Sequence, residues 1–110
     1  MTSHLKPGFA ILAAALLGAT FGAGSAAAQS GKDLYASKGC LACHGADAKK
    51  TILPLYPKLA GQNAPYLVFA LKAYKTQDRK GDQAALMWGM AAQLTDSEIQ
   101  KIAEFLSKAE

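Results

Sequence analysis

The sequence is poor in cysteine, histidine and β-branched residues. Its 110 residues include only two Cys, two His and one Trp. Two Cys allow at most one disulfide, which excludes a small scaffold held together by several disulfides. Residues 29–110 contain one Val, three Ile and three Thr, and so few strand-forming residues argue against an all-β domain. We therefore expect one helical domain, in a chain too short for two hydrophobic cores.

The charge of the chain is small and dispersed. Twelve Lys and Arg residues stand against eight Asp and Glu residues, which gives a formal net charge of +4. No basic run or RNA-binding motif accompanies this excess of positive charge. We therefore expect no nucleic-acid partner.

The first 28 residues differ in composition from the rest. An apolar stretch from Phe9 to Phe21 leads into small residues that end in Ala26-Ala27-Ala28, an A-x-A cleavage pattern. This arrangement predicts a secretory signal peptide at 1–28, whose cleavage would leave a domain at 29–110. The apolar stretch is shorter than the roughly 20 residues of a membrane span, which disfavours the alternative of an uncleaved anchor. We expect no stable membrane insertion after cleavage.

Three helices are predicted in the remaining chain. The first covers residues 31–38 and ends at Gly39, because glycine adopts the left-handed conformation that terminates a helix. The second begins near Pro65, with proline in the first turn, where its missing N–H has no intrahelical partner to lose. The third begins with the capping box Thr95-Asp96-Ser97-Glu98 and continues with apolar residues at helical spacing.

Two long stretches between these helices, 45–62 and 77–90, are predicted to be irregular. Loops of this length are uncommon in so small a domain unless they surround a ligand. A domain of about 80 residues also needs a disulfide, metal or cofactor to supplement its core. The loops and the size together predict a helical domain wrapped around a cofactor.

The residues Cys40-Leu41-Ala42-Cys43-His44 form a C-x-x-C-H motif, the attachment pattern of c-type haem. On a helical turn, residues i and i+3 share a face. Both thiols can therefore reach the two vinyl groups along one edge of a porphyrin. His44 follows directly and can present its imidazole to the iron from the same side.

Other uses of this motif fit less well. A thioredoxin-like pair belongs near a βαβ pattern, which this strand-poor chain lacks. A structural zinc site needs four ligands, and residues 29–110 contain only Cys40, Cys43 and His44 of the usual types. Iron–sulfur clusters usually need four Cys. A simple disulfide between the two Cys would leave His44 without a role.

Several further motifs accompany C-x-x-C-H. They are Gly31-x-x-x-Tyr35, the glycine at position 45, Pro57-Lys58-Leu59-Ala60-Gly61-Gln62 and Met87-Trp88-Gly89-Met90, followed by the capped terminal helix. With these motifs, residues 30–108 resemble a small class I (monohaem) cytochrome c, and in particular one haem domain of the dihaem periplasmic cytochromes. The resemblance implies an all-α class I cytochrome c fold, in which three to five helices and long loops surround one covalently bound haem c.

The iron ligands follow partly from the residues and partly from the resemblance. His44 is the only His of residues 29–110, so a bis-His haem from this chain alone is excluded. The Met residues there are Met87 and Met90, and a thioether paired with His suits electron transfer. The residues alone leave the choice between them open, whereas the resemblance implies Met87, with Met90 as the alternative. It also implies that the Pro57 carbonyl accepts a hydrogen bond from His44.

Further roles are expected around the haem. By the resemblance, Tyr35, with Gly31, is expected to contact Phe105 and so join the first and last helices. A group of aromatic residues is expected either to bond the haem propionates or to line the pocket: Tyr56, Tyr66, Tyr74 and Trp88. A set of lysines forms either a ring around the haem edge that attracts an acidic partner or a dispersed solubilising surface: Lys49, Lys50, Lys58, Lys72, Lys75 and Lys80.

Iron held by His and Met has no free position for a substrate, so the predicted function is one-electron transfer rather than catalysis. The expected partners are a redox donor and acceptor, such as an oxidoreductase subunit or a terminal oxidase, in the periplasm. One alternative is a dedicated haem c subunit of a periplasmic oxidoreductase complex. A ligand-sensing haem protein is the other alternative, and a weak or absent Met–iron bond would favour it.

Overall fold

The computed structural model describes residues 29–110, and in this part of the chain the only regular elements are five helices. They are α1 (Gly31–Ser37), α2 (Cys40–His44), α3 (Ala64–Lys75), α4 (Ala84–Ala92) and α5 (Asp96–Lys108). The all-α prediction is confirmed. The predicted signal peptide at 1–28 lies outside the described residues. Between residues 29 and 110 no helix combines the length and apolar character that crossing a membrane requires.

The helix boundaries follow local capping interactions. The Ser30 side chain accepts a hydrogen bond from the Asp33 N–H at 3.1 Å and so caps α1. Gly39 has φ 87°, the left-handed conformation expected after the first helix. The capping box of α5 is formed in both directions: the Glu98 N–H donates to Thr95 Oγ1 at 3.1 Å, and the Thr95 N–H donates to Glu98 Oε1 at 2.9 Å.

The prediction that 77–90 is irregular is wrong for its second half, which belongs to α4. The sequence of this helix, AALMWGMAA, is apolar on every side, so it lacks the alternation of apolar and polar faces that marks a surface helix. The residue before it, Gln83, makes no side-chain cap. The first half is a loop, and stretch 45–62 contains no helix or strand, as predicted.

The main core lies where α1 crosses α5. Leu34, Ile99 and Ile102 are at most 2% exposed there. Gly31 lies so close to α5 that a Cβ atom on it would collide with the Lys101 carbonyl oxygen and with the Phe105 side chain. The rings of Tyr35 and Phe105 pack with their centroids 5.7 Å apart. The predicted contact between the first and last helices is confirmed.

Helix α3 packs against both α4 and α5 and connects the main core to the rest of the molecule. Its last turn carries Lys75, whose ammonium group donates a hydrogen bond to the Leu94 carbonyl just beyond α4. A cation at this position also interacts favourably with the negative end of the α4 dipole. Helix α4 is thereby fixed beside α3, and residues of α4 and of loop 45–62 line the same cavity.

Candidate haem site

A cavity of about 440 Å³ opens between α2, α3, α4 and the two loops. Its volume lies within the range of roughly 300–1,000 Å³ that is usual for small-molecule and cofactor sites. The cavity brings together Cys40, Cys43 and His44 with Met87 and Met90. These five residues are the candidate attachment and ligand residues of the sequence.

The two cysteines lie on the single turn of α2 and are both half-buried. They are free thiols and are not joined by a disulfide. Burial raises the pKa of the Cys40 thiol above its usual value, and a backbone hydrogen bond of Cys40 itself opposes this shift only in part. Their separation by three positions places both on one side of the turn, as attachment to two neighbouring vinyl groups requires.

The imidazole of His44 is buried, with 7% of the residue exposed. Its Nδ1 atom lies 2.9 Å from the carbonyl oxygen of Pro57. Because a carbonyl oxygen only accepts, Nδ1 carries the proton and donates this bond, which leaves the Nε2 lone pair free to bind a metal. The bond also fixes the orientation of the ring, as is usual for histidines that bind metals.

Hydrogen bonds hold the loop that carries Pro57 against α2. The Ile52 N–H donates to the Cys43 carbonyl at 3.1 Å, and the Leu59 N–H donates to the Ala48 carbonyl at 2.9 Å. The hydroxyl of Tyr35 donates to the Gly45 carbonyl at 2.7 Å, which connects the loop to the main core. Backbone hydrogen bonds on either side of Pro57, at Ile52 and at Leu59, therefore fix its position relative to His44.

The phenol of Tyr35 titrates far from its usual range. Burial, and to a smaller extent the negative charges of the Cys40 thiolate and of Asp47, raise the pKa of Tyr35 to about 12. A thioether at Cys40 carries no charge, so burial and the charge of Asp47 are the contributions that persist once haem is attached. Tyr35 stays neutral at ordinary pH and keeps its hydrogen bond to Gly45.

Met87 and Met90 are one helical turn apart on α4, and both are partly buried. Their environments differ. The terminal methyl group of Met90 lies close to Gly39, since a Cβ atom built on that glycine would be 3.1 Å from Met90 Cε. Met90 therefore packs against the start of α2, whereas Met87 lies one turn earlier in α4.

Arg79 is a cavity residue that no sequence motif predicts. Its guanidinium carbon lies 4.9 Å from the centroid of the Tyr74 ring. One of its nitrogens donates to the Tyr66 hydroxyl at 3.3 Å, and Trp88 Nε1 donates to its backbone carbonyl at 2.8 Å. The one feature of the sequence that could have drawn attention to this residue is that Arg79 is the only arginine in the chain.

The candidate lysines do not form one group. Lys58 and Lys80 line the cavity. Lys75 is bonded to the Leu94 carbonyl, and Lys49 and Lys50 lie on the exposed start of loop 45–62. Of the aromatic residues, Tyr56, Tyr66 and Tyr74 line the cavity.

The fold and the site define a class of protein, a helical domain that attaches haem through two thioethers. The family model for cytochrome c matches residues 28–110. The chain belongs to the cytochrome c family. It is a class I cytochrome c with one covalently bound haem c, and as such an iron-containing electron-transfer protein that exchanges electrons with redox partners.

Several known proteins are similar to this chain. Cytochrome c-554(548) of Halomonas halodenitrificans is 47% identical over 88 residues, which cover 80% of this chain and all of that relative. The thiosulfate dehydrogenase electron acceptor of Stutzerimonas stutzeri is 40% identical over 68 residues, which cover 62% of this chain. The crystal structure of reduced cytochrome c4 from Pseudomonas stutzeri superposes with a TM-score of 0.63 at 27% identity, over 73% of this chain.

The relatives differ in how much of their own length this chain matches. The chain spans the whole of cytochrome c-554(548), but 46% of the cytochrome c4 chain and 31% of the thiosulfate dehydrogenase electron acceptor. The similarity to the last two therefore concerns one part of a longer protein.

The residues of the cavity fit a covalently bound haem. The two free thiols lie on one turn, and the buried imidazole beside them has its Nδ1 atom already bonded. Apolar side chains at the cavity, such as Leu55 at 71% and Leu86 at 55% exposed, lack protein contacts that would cover them. An apolar macrocycle in the cavity would give them the contacts that they lack.

Proposed function

We propose that this protein is a periplasmic one-electron carrier whose haem iron is bound by His44 and Met87. The observation that carries the proposal is that one cavity contains the C-x-x-C-H residues and, on the facing helix, a methionine. When bound, haem c supplies an iron that alternates between the ferrous and ferric states. The chain attaches it, provides ligands and excludes water.

His44 is the proposed ligand on the α2 side. Its bond to the Pro57 carbonyl holds the ring in one tautomer and increases electron donation from Nε2. Pro57 is thus a positioning residue, held in place by the loop that Tyr35 and Cys43 anchor. A mobile imidazole would weaken the ligand bond and broaden the range of reduction potentials.

Met87 is the proposed ligand on the opposite side. Both methionines line the cavity, but the methyl group of Met90 is already packed beside Gly39. A methionine that fills space between two helices performs the commonest structural use of this side chain. Met87 has no atom within 4 Å of a Cβ atom built on Gly39, which favours Met87 as the ligand and Met90 as packing.

Arg79 is the residue best placed to bind a haem propionate. An arginine fork binds a carboxylate through two parallel hydrogen bonds. The side chain is held over the Tyr74 ring and beside the Tyr66 hydroxyl. It therefore loses less conformational freedom on binding a propionate than an unrestrained arginine would. Both tyrosines line the same cavity and offer further hydroxyl groups.

If His44 and Met87 both bind the iron, as proposed, no position would remain on it for a substrate. The bound haem would then supply one-electron exchange with a donor and an acceptor. Thioether ligation opposite His raises the reduction potential. The protein determines this potential through its ligands, its hydrogen bonds and the burial of the site.

A second candidate function is electron transfer within an oxidoreductase system. The similarity to the thiosulfate dehydrogenase electron acceptor of Stutzerimonas stutzeri favours it. Under this alternative the chain serves one catalytic partner and is purified with it, since a permanent interface is larger and more apolar than a transient one.

Two measurements on the purified holoprotein test the carrier proposal. A potentiometric titration should show a single reversible one-electron transition. The ferrous protein should not bind carbon monoxide rapidly at neutral pH, because Met87 as a ligand would compete with it for the iron. Rapid carbon monoxide binding would contradict the carrier proposal and favour a ligand-sensing haem protein.

A further inference from the structure

Trp88 is the one residue of α4 whose side chain can donate a hydrogen bond. The sequence of this helix is AALMWGMAA, and no other side chain in it carries an N–H or O–H group. The indole Nε1 of Trp88 donates to the Arg79 carbonyl at 2.8 Å. Trp88 directly follows Met87 but does not line the cavity, so any effect that it has on the haem is transmitted through α4.

The backbone of Arg79 joins α3 to α4. Its N–H donates to the Ala73 carbonyl of α3 at 3.1 Å, and the Asp78 N–H donates to the same carbonyl at 2.8 Å. Its own carbonyl accepts the bond from Trp88. The turn of α4 that contains Met87 is therefore attached to a point of the loop that is itself bonded to α3.

The loop before α4 is conformationally strained, and the helix start is not capped by a side chain. Gln77 and Asp82 have φ angles of 64° and 41°, in a region that is unfavourable for residues with a Cβ atom. Strained backbone persists only where surrounding contacts hold it. Gln83, the residue before the helix, makes no side-chain cap. The position of the first half of α4 therefore depends strongly on the bond between Trp88 and Arg79.

We propose that Trp88 is a positioning residue whose indole hydrogen bond holds α4 where the Met87 sulfur reaches the iron. The inference rests on the proposed carrier function, in which Met87 is the ligand, and it specifies what controls the stability of that ligand bond. The hydrogen bond then favours methionine-bound over methionine-dissociated haem by about fivefold, the factor that one such bond contributes to an equilibrium constant.

Cyanide titration of the ferric holoprotein measures the methionine-dissociated fraction, because cyanide competes with Met87 for the iron. The apparent Kd is inversely proportional to the fraction of protein that is competent to bind. Trp88→Phe removes the N–H donor and keeps an aromatic ring at this partly buried position. The apparent Kd for cyanide should fall by about fivefold in this variant. An unchanged Kd would overturn the proposal.

Ser30→Ala is the matched control for the loss of one hydrogen bond elsewhere in the fold. Ser30 caps α1 by accepting from the Asp33 N–H at 3.1 Å and does not line the cavity. Loss of a helix cap lowers stability by an amount similar to loss of the indole bond. The control should bind cyanide as the parent protein does. If its Kd fell as far as that of Trp88→Phe, general destabilisation would explain both results and the positioning role would fail.

A second measurement needs no substitution at Trp88. Trp88 is the only Trp of the chain, so its indole N–H gives one identifiable NMR signal. Coupling between two equilibria is reciprocal. Displacement of Met87 by cyanide should therefore weaken the indole bond by the same factor, and hydrogen exchange at Nε1 should be about fivefold faster in the cyanide complex. Equal exchange rates with and without cyanide would overturn the proposal.

Met87→Leu separates this inference from the ligand assignment on which it rests. If Met87 binds the iron, Met87→Leu alone raises the affinity for cyanide, and adding Trp88→Phe has no further effect. If Met87→Leu leaves the affinity unchanged, the proposed ligand is wrong. If Met87→Leu raises the affinity but Trp88→Phe acts equally with and without Met87, only the positioning role of Trp88 is wrong.

Discussion

The crossing of α1 and α5 and the region around the cavity are packed in different ways. At the crossing, Leu34, Ile99 and Ile102 are at most 2% exposed. Around the cavity, Leu55 is 71% and Leu86 55% exposed, although both are as apolar as the core residues. The crossing is stabilised by the chain's own side chains, whereas the cavity region needs the haem to bury its apolar surface.

The largest effect is expected from removing the haem attachment. Replacing Cys40→Ala and Cys43→Ala should abolish the cooperative thermal transition, because residues 29–110 alone bury too little apolar area. Circular dichroism during heating measures this. A cooperative transition in the double variant would show that the crossing of α1 and α5 stabilises the whole domain without haem.

A core substitution sharpens the comparison in the holoprotein. Ile99 is fully buried, so Ile99→Ala should reduce the free energy of unfolding by about 2–5 kcal/mol. Leu86 is 55% exposed to solvent where protein side chains alone surround it. Leu86→Ala should therefore reduce the free energy of unfolding by less than Ile99→Ala. Guanidinium unfolding followed at the same wavelength gives both values. An equal or larger loss for Leu86→Ala would remove the proposed difference between the two regions.

Arg79 tests the electrostatics of the cavity region. If it binds a propionate, Arg79→Gln should lower the reduction potential, because loss of a positive charge favours the ferric state. Loss of the neighbouring cation should also raise the pKa of the propionate. The pH at which the reduction potential changes should therefore rise as well. Lys80→Gln removes a charge from the same cavity and should produce a smaller pH effect. Equal effects would leave Arg79 without a specific role.

Tyr35 connects the two regions, and the expected effect of changing it is the smallest. Tyr35→Phe removes the hydrogen bond to the Gly45 carbonyl and should cost about 1 kcal/mol at neutral pH. Because the pKa of Tyr35 is raised to about 12, the contribution of the neutral phenol persists below pH 10 and disappears as the pH rises through 12.

Unfolding of parent and Tyr35→Phe proteins between pH 8 and 12 isolates this contribution, since other groups titrate alike in both. The difference in stability should fall towards the alkaline limit. A constant difference over this range would mean that the tyrosine ionises equally in the folded and unfolded states.

Sequence patterns predicted the parts of the fold that local interactions determine. The capping box at Thr95 and the left-handed Gly39 are recognisable because each depends on residues within one turn. The C-x-x-C-H motif likewise lies within one turn of helix. Helix α4 was missed because its residues are apolar on every side, so its helical form depends on packing against α3.

The same distinction between local and long-range interactions applies to the haem site. The attachment residues follow from spacing, and the likeness to known proteins suggested Pro57 and Met87. The cluster of Arg79 with Tyr66 and Tyr74 was not predictable, because it joins a loop to residues 5 and 13 positions earlier through side-chain geometry. The exposure of Ile52 and Leu53 is equally hidden in the sequence, since adjacent aliphatic residues normally indicate burial.

The central claim is that Met87 completes the coordination of the iron opposite His44, and its most direct test is the weak long-wavelength charge-transfer band of a methionine–iron bond. Met87→Leu and Met90→Leu should be made separately and their ferric spectra recorded. The account predicts that the band disappears in Met87→Leu and survives in Met90→Leu. A band that survives the loss of Met87 would contradict it.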